Sequence, residues 1–284
     1  MDDTPAADNT QAALWNGSAA RAWIAGQTML DGMFEPFEAL LVDAIDAGAK
    51  RRVLDIGCGT GATTLAAARR LGADGEAVGV DISAPMIEVA RRRTGQLDAA
   101  ARFIAADVQT HRFEPASFDL IMSRFGVMFF DDPLFAFTNV RRAAKDGAEL
   151  RCIAWRSAAD NPFMTVAERA AAPFLPNLPA RRPDGPGQFS FADSHRVASM
   201  LERSGWTQID IRAIDVDCVL PETELVDYFS RVGPVGMLLQ QTSEPIRSQV
   251  VKSVRAAFDP YVQESEVRYT AACWMLGARA LDNP

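Results

Sequence analysis

The stretch that decides the fold of this chain is Val53-Leu54-Asp55-Ile56-Gly57-Cys58-Gly59-Thr60-Gly61. An apolar run that carries one acid leads into three glycines on alternate positions, and residues 62–70 follow with the spacing of a helix. This order predicts a buried strand, a tight turn and the start of a helix. Glycine is needed where the chain takes a positive φ, or where a ligand must lie against bare backbone. We therefore expect a ligand at this turn.

The spacing of the glycines separates two classes of ligand. The dinucleotide-binding fingerprint is G-x-G-x-x-G after a strand, whereas this chain has G-x-G-x-G, with Asp55 two residues before the first glycine. A pyrophosphate binds best at a helix N-terminus that is free of competing anions. Because Asp55 would repel a pyrophosphate and attract an amine or a sulfonium, the pattern favours a cationic ligand over a nicotinamide or flavin cofactor.

Composition is that of an ordinary folded protein and argues against two classes of partner. The 284 residues are 48% hydrophobic and 23% charged, which suits one large α/β domain or a domain with a cap. The net charge of −8 fits neither nucleic acid nor an anionic membrane surface. The first ten residues are acidic and polar, unlike a signal or transit peptide, and no apolar stretch reaches about 18 residues. We predict a cytoplasmic protein with a small-molecule partner, and a homodimer stays open.

Neither the cysteines nor the paired acids indicate a metal site. The cysteines have no C-x-x-C spacing and no neighbouring histidine, so we expect small buried hydrophobic side chains rather than zinc ligands or disulfides. Asp131 and Asp132 precede Pro133, which is typical of a loop and a helix N-cap. The four cysteines are Cys58, Cys152, Cys218 and Cys273.

Strand and helix patterns alternate from Arg52 onward, which predicts a parallel sheet covered by helices on both faces. The strand candidates are Arg52–Ile56, Ala77–Asp81, Ala101–Ala105, Phe118–Ser123, Glu149–Trp155, Trp206–Val216 and Val267–Gly277. The helix candidates between them are Thr63–Leu71, Pro85–Thr94, Pro133–Ala144 and Ser194–Ser204. Before this region, Gln11–Gly48 has a mostly helical pattern with breaks at Gly17, Gly32 and Pro36.

Two stretches interrupt the alternation and predict a cap. Ser157–Phe191 is rich in proline and holds one helix candidate, Met164–Ala172, while Pro221–Glu266 holds two or three amphipathic helices. The expected organisation is an N-terminal helical lid (1–48), a ligand-binding core (49–156), a cap excursion (157–190), a continuation of the core (191–220), a helical cap insertion (221–266) and a final core strand with its tail (267–284).

Further polar residues stand where strands end, as expected for a ligand that crosses the strand ends. Asp81 ends the second strand 20 residues after Gly61 and can accept both hydroxyls of a ribose. Ile82 and Met86 offer an apolar bed for a purine. Asp107 ends the third strand and can accept from the exocyclic amine of adenine. The fourth strand leaves Ser123 and Arg124 at the crevice.

With these residues the chain resembles a class I S-adenosyl-L-methionine-dependent methyltransferase. The run 53–61 is similar to that family's first motif, Asp81 matches its ribose-binding acid, and Asp107-Val108 matches its adenine-contacting pair. Ser123 falls where the family lines the methionine moiety. Asp146-Gly147-Ala148 replaces the family's usual Pro-Gly-Gly, from which we expect a local change only.

The resemblance implies a Rossmann-like, doubly wound, seven-stranded α/β sheet, mostly parallel with an antiparallel last strand, under a helical cap. Trp15-Asn16-Gly17 and Trp23 also resemble the lid of the small-molecule, quinone-biosynthesis-like subgroup. S-adenosyl-L-methionine is the implied cofactor. Its implied binding residues are Asp55, Gly57, Cys58, Gly59, Gly61, Asp81, Ile82, Met86, Asp107, Val108 and Ser123.

The function implied is methyl transfer by in-line displacement to a small, apolar or aromatic metabolite. Orientation of two bound reactants is worth roughly 7–11 kcal/mol, so no covalent machinery is required. His111 and His195 are both expected to be structural, and no catalytic residue is assigned. Aromatic faces for the sulfonium are expected among Trp15, Trp23, Phe125 and Phe129. Two alternatives stay open: a relative that uses the same nucleoside for a non-methylation reaction such as a cyclisation, and a binding module without turnover.

Overall fold

The computed structural model describes residues 10–46, 51–95, 100–181 and 185–281. Residues 1–9 and 47–48 of the predicted lid, and residues 282–284 of the predicted tail, lie outside this part of the chain. The strands are β1 (Arg52–Ile56), β2 (Glu76–Asp81), β3 (Ala101–Ala105), β4 (Phe118–Arg124), β5 (Ala144–Trp155), β6 (Thr207–Pro221), β7 (Val262–Gln263) and β8 (Glu266–Ala280).

All these strands form one sheet in the order β3-β2-β1-β4-β5-β8-β6, with the two-residue β7 paired to β8. Strands β1 to β5 run parallel, and β8 is antiparallel to both β5 and β6. The expected mostly parallel sheet with an antiparallel last strand is confirmed, and β7 adds an eighth, very short strand. The strand order reverses beside β1, at the position where open α/β sheets bind their ligands.

The central strands form because they are apolar on both faces and lie between two layers of helices. Val53, Leu54 and Ile56 of β1 and Val78 and Val80 of β2 are at most 1% exposed. Such runs are typical of a parallel sheet covered on both sides. They hold the carboxyl ends of β1 and β2 in a fixed register, Ile56 beside Val80.

The core helices agree with the expected positions to within one or two residues. The helices around the sheet are α5 (Ala62–Leu71), α6 (Ala84–Thr94), α7 (Pro133–Ala143) and α9 (Ser194–Arg203). The cap region contains α8 (Pro162–Ala171), α10 (Leu225–Arg231), α11 (Gly233–Leu239) and α12 (Glu244–Ala257). The expectation of two or three helices in the second excursion is confirmed with three.

The N-terminal segment contains α1 (Thr10–Asn16), α2 (Ser18–Ala25), α3 (Gln27–Met33) and α4 (Glu35–Val42). The break at Gly17 is confirmed, but Gly32 lies inside α3, and the further breaks fall at Gly26 and Phe34. An exposed glycine is tolerated within a helix at a cost of about 1 kcal/mol. Pro36 lies in the first turn of α4, where its missing N–H has no helical partner to lose.

Helix α8, with the end of α12 against it, packs on a part of β8 that continues past β5. Strand β8 pairs with β5 only from Cys273 onward, whereas its first half pairs with β6 on one side and, at its start, with the short β7 on the other. On this extension Tyr269 stacks on Phe163 of α8 with ring centroids 3.8 Å apart, and Phe258 meets Phe163 at 5.1 Å. The helices predicted as a cap are thus joined to the sheet by an aromatic contact.

None of the helices in the described ranges has the length and apolar character needed to cross a bilayer. The cytoplasmic location expected from the sequence stays a prediction.

Candidate active site

The three glycines of the turn all adopt positive φ, at +66° for Gly57, +55° for Gly59 and +89° for Gly61. A Cβ on Gly57 would lie 2.6 Å from the Cα of Gly126, and a Cβ on Gly61 would lie 2.8 Å from the Phe103 ring. Those two glycines are therefore required by the packing of the protein itself. A Cβ on Gly59 would meet only the Met86 Sδ at 4.0 Å, so open surface lies there.

Asp81 is bound to the glycine turn rather than projecting freely from the end of β2. Its Oδ2 accepts from the Gly59 amide at 2.8 Å, and its Oδ1 accepts from the Ser83 amide at 2.8 Å. Burial raises the pKa of this carboxyl, although the two amides oppose the rise. A carboxylate has about four acceptor positions, so each oxygen keeps capacity for a ligand hydroxyl.

Asp55 lies beneath the turn and is 1% exposed. The Thr64 hydroxyl donates to its Oδ2 at 2.6 Å. Burial raises the pKa of this carboxyl to about 7, against the lowering effects of Thr64 and Arg124. An acid in this position acts on a ligand through its field, and its depth argues against a direct contact.

Ser123 is fully buried at the end of β4, and its hydroxyl is committed to backbone groups. It donates to the Ile56 carbonyl at 2.7 Å and accepts from the Gly126 amide at 3.2 Å. These bonds hold Gly126 against Gly57 and so fix the turn from below. Its contact with a methionine moiety stays a prediction.

The loop after β3 is organised around Asp107. The backbone amide of Gln109 donates to its Oδ1 at 2.9 Å. The side-chain Nε2 of Gln109 donates to Oδ1 at 3.1 Å and to Oδ2 at 3.2 Å. Val108 is buried, and its carbonyl accepts from Asn139 at 2.8 Å. The loop beyond the end of β3 is therefore held by its own Gln109 and by Asn139 of α7.

The remaining predicted ligand-binding residues lie around the turn. Met86 is buried beneath the open surface at Gly59, while Ile82 is partly exposed at the end of β2. Cys58 is buried, and burial raises the pKa of its thiol well above the usual range. A thiol that stays protonated is a poor nucleophile, which fits the expectation that Cys58 is unreactive. The four cysteines are buried and free, as expected.

Helix α1 crosses above the glycine turn. The side chain of Asn16 donates to the Ile82 carbonyl at 3.1 Å and accepts from the Ala84 amide at 3.0 Å, both just after β2. Trp15 meets Phe129, just after β4, edge to face with centroids 5.1 Å apart. Because β1 lies between β2 and β4, these contacts place α1 over the end of β1.

The four aromatic candidates differ in burial, although Trp15 and Trp23 meet edge to face with centroids 6.1 Å apart. Trp15 and Phe129 are partly exposed and meet above the turn. Phe125 is buried and stacks on Trp155 with an interplanar angle of 8° and centroids 4.6 Å apart. Trp23 stacks on Phe34, which belongs to the same buried aromatic group as Phe125. Phe125 is thus a core residue, and sequence spacing had no means to separate it from Phe129.

Sequence reasoning left a group of charges beside the turn without a role. Arg124 donates to the Phe34 carbonyl at 3.3 Å, and burial lowers the pKa of its guanidinium. Glu38 of α4 interacts electrostatically with Arg124, and burial raises the pKa of its carboxyl. The signal in the sequence was a charged residue directly after an apolar strand, which marked Arg124 as a crevice residue but gave it no function.

The two histidines, His111 and His195, lie in other elements than the glycine turn. His195 is exposed in the first turn of α9, whose N-cap Asp193 accepts from the amides of His195 and Arg196. His111 packs edge-on against Phe113 in the loop after β3. Asp132 caps α7 by accepting from the Phe135 amide at 2.9 Å, as its position before Pro133 predicted.

Several known proteins are similar to this chain in sequence or in fold. Residues 53–147 match the model of a methyltransferase domain family. Demethylmenaquinone methyltransferase of Renibacterium salmoninarum is 26% identical over 212 residues, which cover 72% of this chain and 86% of the relative. Aklanonic acid methyltransferase DauC of Streptomyces sp. (strain C5) is 36% identical over 107 residues, which cover 37% of this chain and 49% of the relative.

A solved structure with the same fold is phosphoethanolamine N-methyltransferase 2 of Haemonchus contortus, in complex with phosphomonomethylethanolamine and S-adenosylhomocysteine. It superposes with a TM-score of 0.59 at 16% identity, over 98% of this chain and 61% of that one. The sheet order, the glycine turn and these matches together define a class I methyltransferase domain. Residues 53–147 thus form a class I S-adenosylmethionine-dependent methyltransferase domain, and S-adenosylmethionine is its cofactor.

The site described above suits that cofactor. The open surface at Gly59 gives a ligand access to bare backbone, and Asp81 keeps acceptor capacity beside it. Asp55 beneath the turn and Asp81 beside it are acidic groups, which suit a sulfonium better than a pyrophosphate.

Proposed function

We propose that the protein transfers the methyl group of S-adenosylmethionine to a small apolar or aromatic metabolite by in-line displacement. The observation that carries this proposal is the contact between Trp15 and Phe129 above the glycine turn. Two aromatic side chains from separate parts of the chain meet there, where an acceptor must approach the cofactor. The relatives named for demethylmenaquinone and aklanonic acid support an organic acceptor of this kind.

We further propose that the cofactor lies across the ends of β3, β2 and β1. Asp107 and Val108 would contact its adenine, Asp81 its ribose, and Ile82 and Met86 the apolar faces. Ser123 would act through the turn it supports. The full proposed set is Asp55, Gly57, Cys58, Gly59, Gly61, Asp81, Ile82, Met86, Asp107, Val108 and Ser123.

S-adenosylmethionine supplies a methyl group that is already electrophilic, so the protein has to orient the acceptor and exclude water. Trp15 and Phe129 are placed to do both, and an aromatic face near a cation adds about 0.5–2 kcal/mol. A general base is needed only where the acceptor must lose a proton. We assign none, so the proposed acceptor is one that reaches the site already deprotonated, as an enolate carbon or a heteroatom anion.

In this proposal the N-terminal helices α1–α4 act as a lid and helices α8 and α10–α12 as a cap. The two meet where the Ser18 hydroxyl contacts the Met237 Sδ at 3.7 Å. Opening between them would admit both reactants, and closure would exclude water.

The test is incubation of the protein with S-adenosylmethionine labelled in its methyl group and an extract of small metabolites. A labelled product supports methyl transfer. An altered product without label supports the alternative of a non-methylation reaction, and binding without any product supports a binding module. Either of those results overturns the proposal.

A variant pair then tests the acceptor surface. Phe129→Ala removes the aromatic face and should raise the KM for the acceptor about fivefold or more, a cost near 1 kcal/mol. Phe129→Tyr keeps the ring and should stay close to the original value. Equal KM values for both variants would exclude Phe129 from acceptor binding.

A further inference from the structure

Arg124 ends β4, beside the strand ends where the cofactor is proposed to lie, and has no role in the chemistry proposed above. We propose that Arg124 binds the carboxylate at the amino-acid end of S-adenosylmethionine; this proposal rests on the proposed function. The ligand chemistry is that of an α-amino acid zwitterion, with Arg124 facing its carboxylate and Glu38 supplying the opposite charge for its ammonium.

The order of the strands gives the direction of the cofactor. Asp107 follows β3 and Asp81 ends β2, so an adenosine that uses both runs from β3 towards β1. Its amino-acid end then falls at the ends of β1 and β4. Asp55 of β1 lies beside Met122 of β4 in the parallel register. Two residues further along each strand, Arg124 therefore lies level with Gly57. Arg124 is therefore a cation at the end of β4, where the amino-acid part of the cofactor is proposed to lie.

The guanidinium has donors to spare. Arg124 is partly buried, and in the described part of the chain it makes one hydrogen bond, to the Phe34 carbonyl at 3.3 Å. Its Cζ also lies 5.7 Å from the centre of the Phe34 ring. No described carboxylate lies within 4.0 Å of it, although a guanidinium has five N–H donors. A partly buried cation with most donors unused is suited to a bidentate anion such as a carboxylate.

The acidic side chains near Arg124 do not accept hydrogen bonds from its guanidinium. Asp31 is bonded to Arg93 at 2.8 Å, and Asp55 to the Thr64 hydroxyl at 2.6 Å. The Glu38 carboxyl interacts electrostatically with Arg124 without forming an ion pair within 4.0 Å. A guanidinium and a carboxyl that face one region without touching match the two charges of an amino acid.

The test compares two probes, S-adenosylhomocysteine and 5′-methylthioadenosine, which lacks the amino-acid end. In calorimetry with the full chain, Arg124→Met should weaken S-adenosylhomocysteine binding about tenfold or more, as expected for one charge-assisted pair. The affinity for 5′-methylthioadenosine should change by less than about twofold. Arg124→Lys keeps the charge but not the planar fork, so it should recover part of the loss.

A second probe and a matched control separate binding from folding. The carboxamide of S-adenosylhomocysteine should bind the unmodified protein more weakly than the acid does, and Arg124→Met should bind both alike. Arg92→Met removes the same charge from an exposed site on α6 and should leave both affinities unchanged. An equal loss for the two probes in Arg124→Met, or no loss for either, overturns the assignment of Arg124. Failure of the unmodified protein to bind either probe would instead overturn the cofactor site itself.

Discussion

Arg93 and Asp31 form an ion pair, with Nη2 and Oδ2 2.8 Å apart, that joins α6 to the N-terminal helix α3. The same guanidinium donates through Nη1 to the Thr60 carbonyl of the glycine turn at 2.9 Å. Asp31 also accepts from Gln27 at 2.7 Å. One arginine therefore connects the proposed lid to the turn that it covers. Both charged side chains are only 22–27% exposed, so solvent screens this pair less than a surface pair.

Asp31→Asn should loosen the proposed lid. The amide can keep the bond to Gln27 but loses the charge that holds Arg93, which we expect to weaken S-adenosylhomocysteine binding about three- to tenfold. Hydrogen exchange in α1–α4 should become faster in the same variant. Asp46→Asn is the matched control, because its pair with Arg51 is longer, at 3.5 Å, and its side chain is 78% exposed. Unchanged exchange in α1–α4 would contradict a closing role for the pair.

Alanine at two glycines of the turn should separate stability from binding. Gly57→Ala combines a strained positive φ with a Cβ 2.6 Å from the Gly126 Cα, and we expect a loss of about 2–4 kcal/mol. Gly59→Ala carries a similar φ but enters open surface, so we expect about 1–2 kcal/mol.

Binding should follow the opposite order in the folded protein. The methyl group of Gly59→Ala would occupy the surface proposed for the cofactor, and affinity for S-adenosylhomocysteine should fall at least about tenfold. Thermal unfolding and calorimetry measure the two effects. Wild-type affinity in Gly59→Ala would show that the ligand does not lie against this residue.

Much of the core was predictable because its signals are local. An apolar run before a glycine turn specifies a buried strand and the helix after it, so β1 has the expected bounds. Asp81 could be placed beside the turn because residues that end neighbouring parallel strands share one edge of the sheet.

The position of the N-terminal helices over the glycine turn was not predictable in this way, because it depends on contacts between residues far apart in the sequence. The bond from Asn16 to Ile82 joins residues 66 positions apart, and the pair of Arg93 with Asp31 joins residues 62 apart. Phe125 and Phe129 are both aromatic residues just after β4, yet only packing against Trp155 makes the first a core residue. Periodicity carries no information about such partners.

Asp81→Ala should weaken S-adenosylhomocysteine binding at least about tenfold in calorimetry, because a ribose hydroxyl loses a charged acceptor. The substitution also leaves the Gly59 and Ser83 amides without their partner, so a fall in melting temperature is expected. A 2′-deoxy analogue distinguishes the two effects: the unmodified protein should prefer the ribose form, and Asp81→Ala should not. S-adenosylhomocysteine should raise the melting temperature of the unmodified protein, whereas NAD should not. Equal affinity of Asp81→Ala and the unmodified protein would remove Asp81 from the ribose site.

The buried carboxyl of Asp55 should make stability depend on pH. Its pKa is raised by burial from an ordinary value near 4 to about 7 in the folded protein. The folded state therefore holds a proton that the unfolded state releases between these values. The contribution to stability is present in full below about pH 4, falls by about 1.4 kcal/mol per pH unit above that, and is lost once the pH passes about 7.

Asp55→Asn imitates the protonated acid and can still accept from the Thr64 hydroxyl, so it should remove this dependence. At pH 8.5 the variant should have a higher melting temperature than the unmodified protein. Its free energy of unfolding should be larger by a few kcal/mol at most, about the integral of that slope. Near pH 4.5 the difference should be close to zero. Asp74→Asn, at an exposed turn, should give the same small shift at both values of pH. If Asp55→Asn instead destabilises the protein more at pH 8.5 than at pH 4.5, the carboxyl is stabilised in its charged form and the sign of the assignment is wrong.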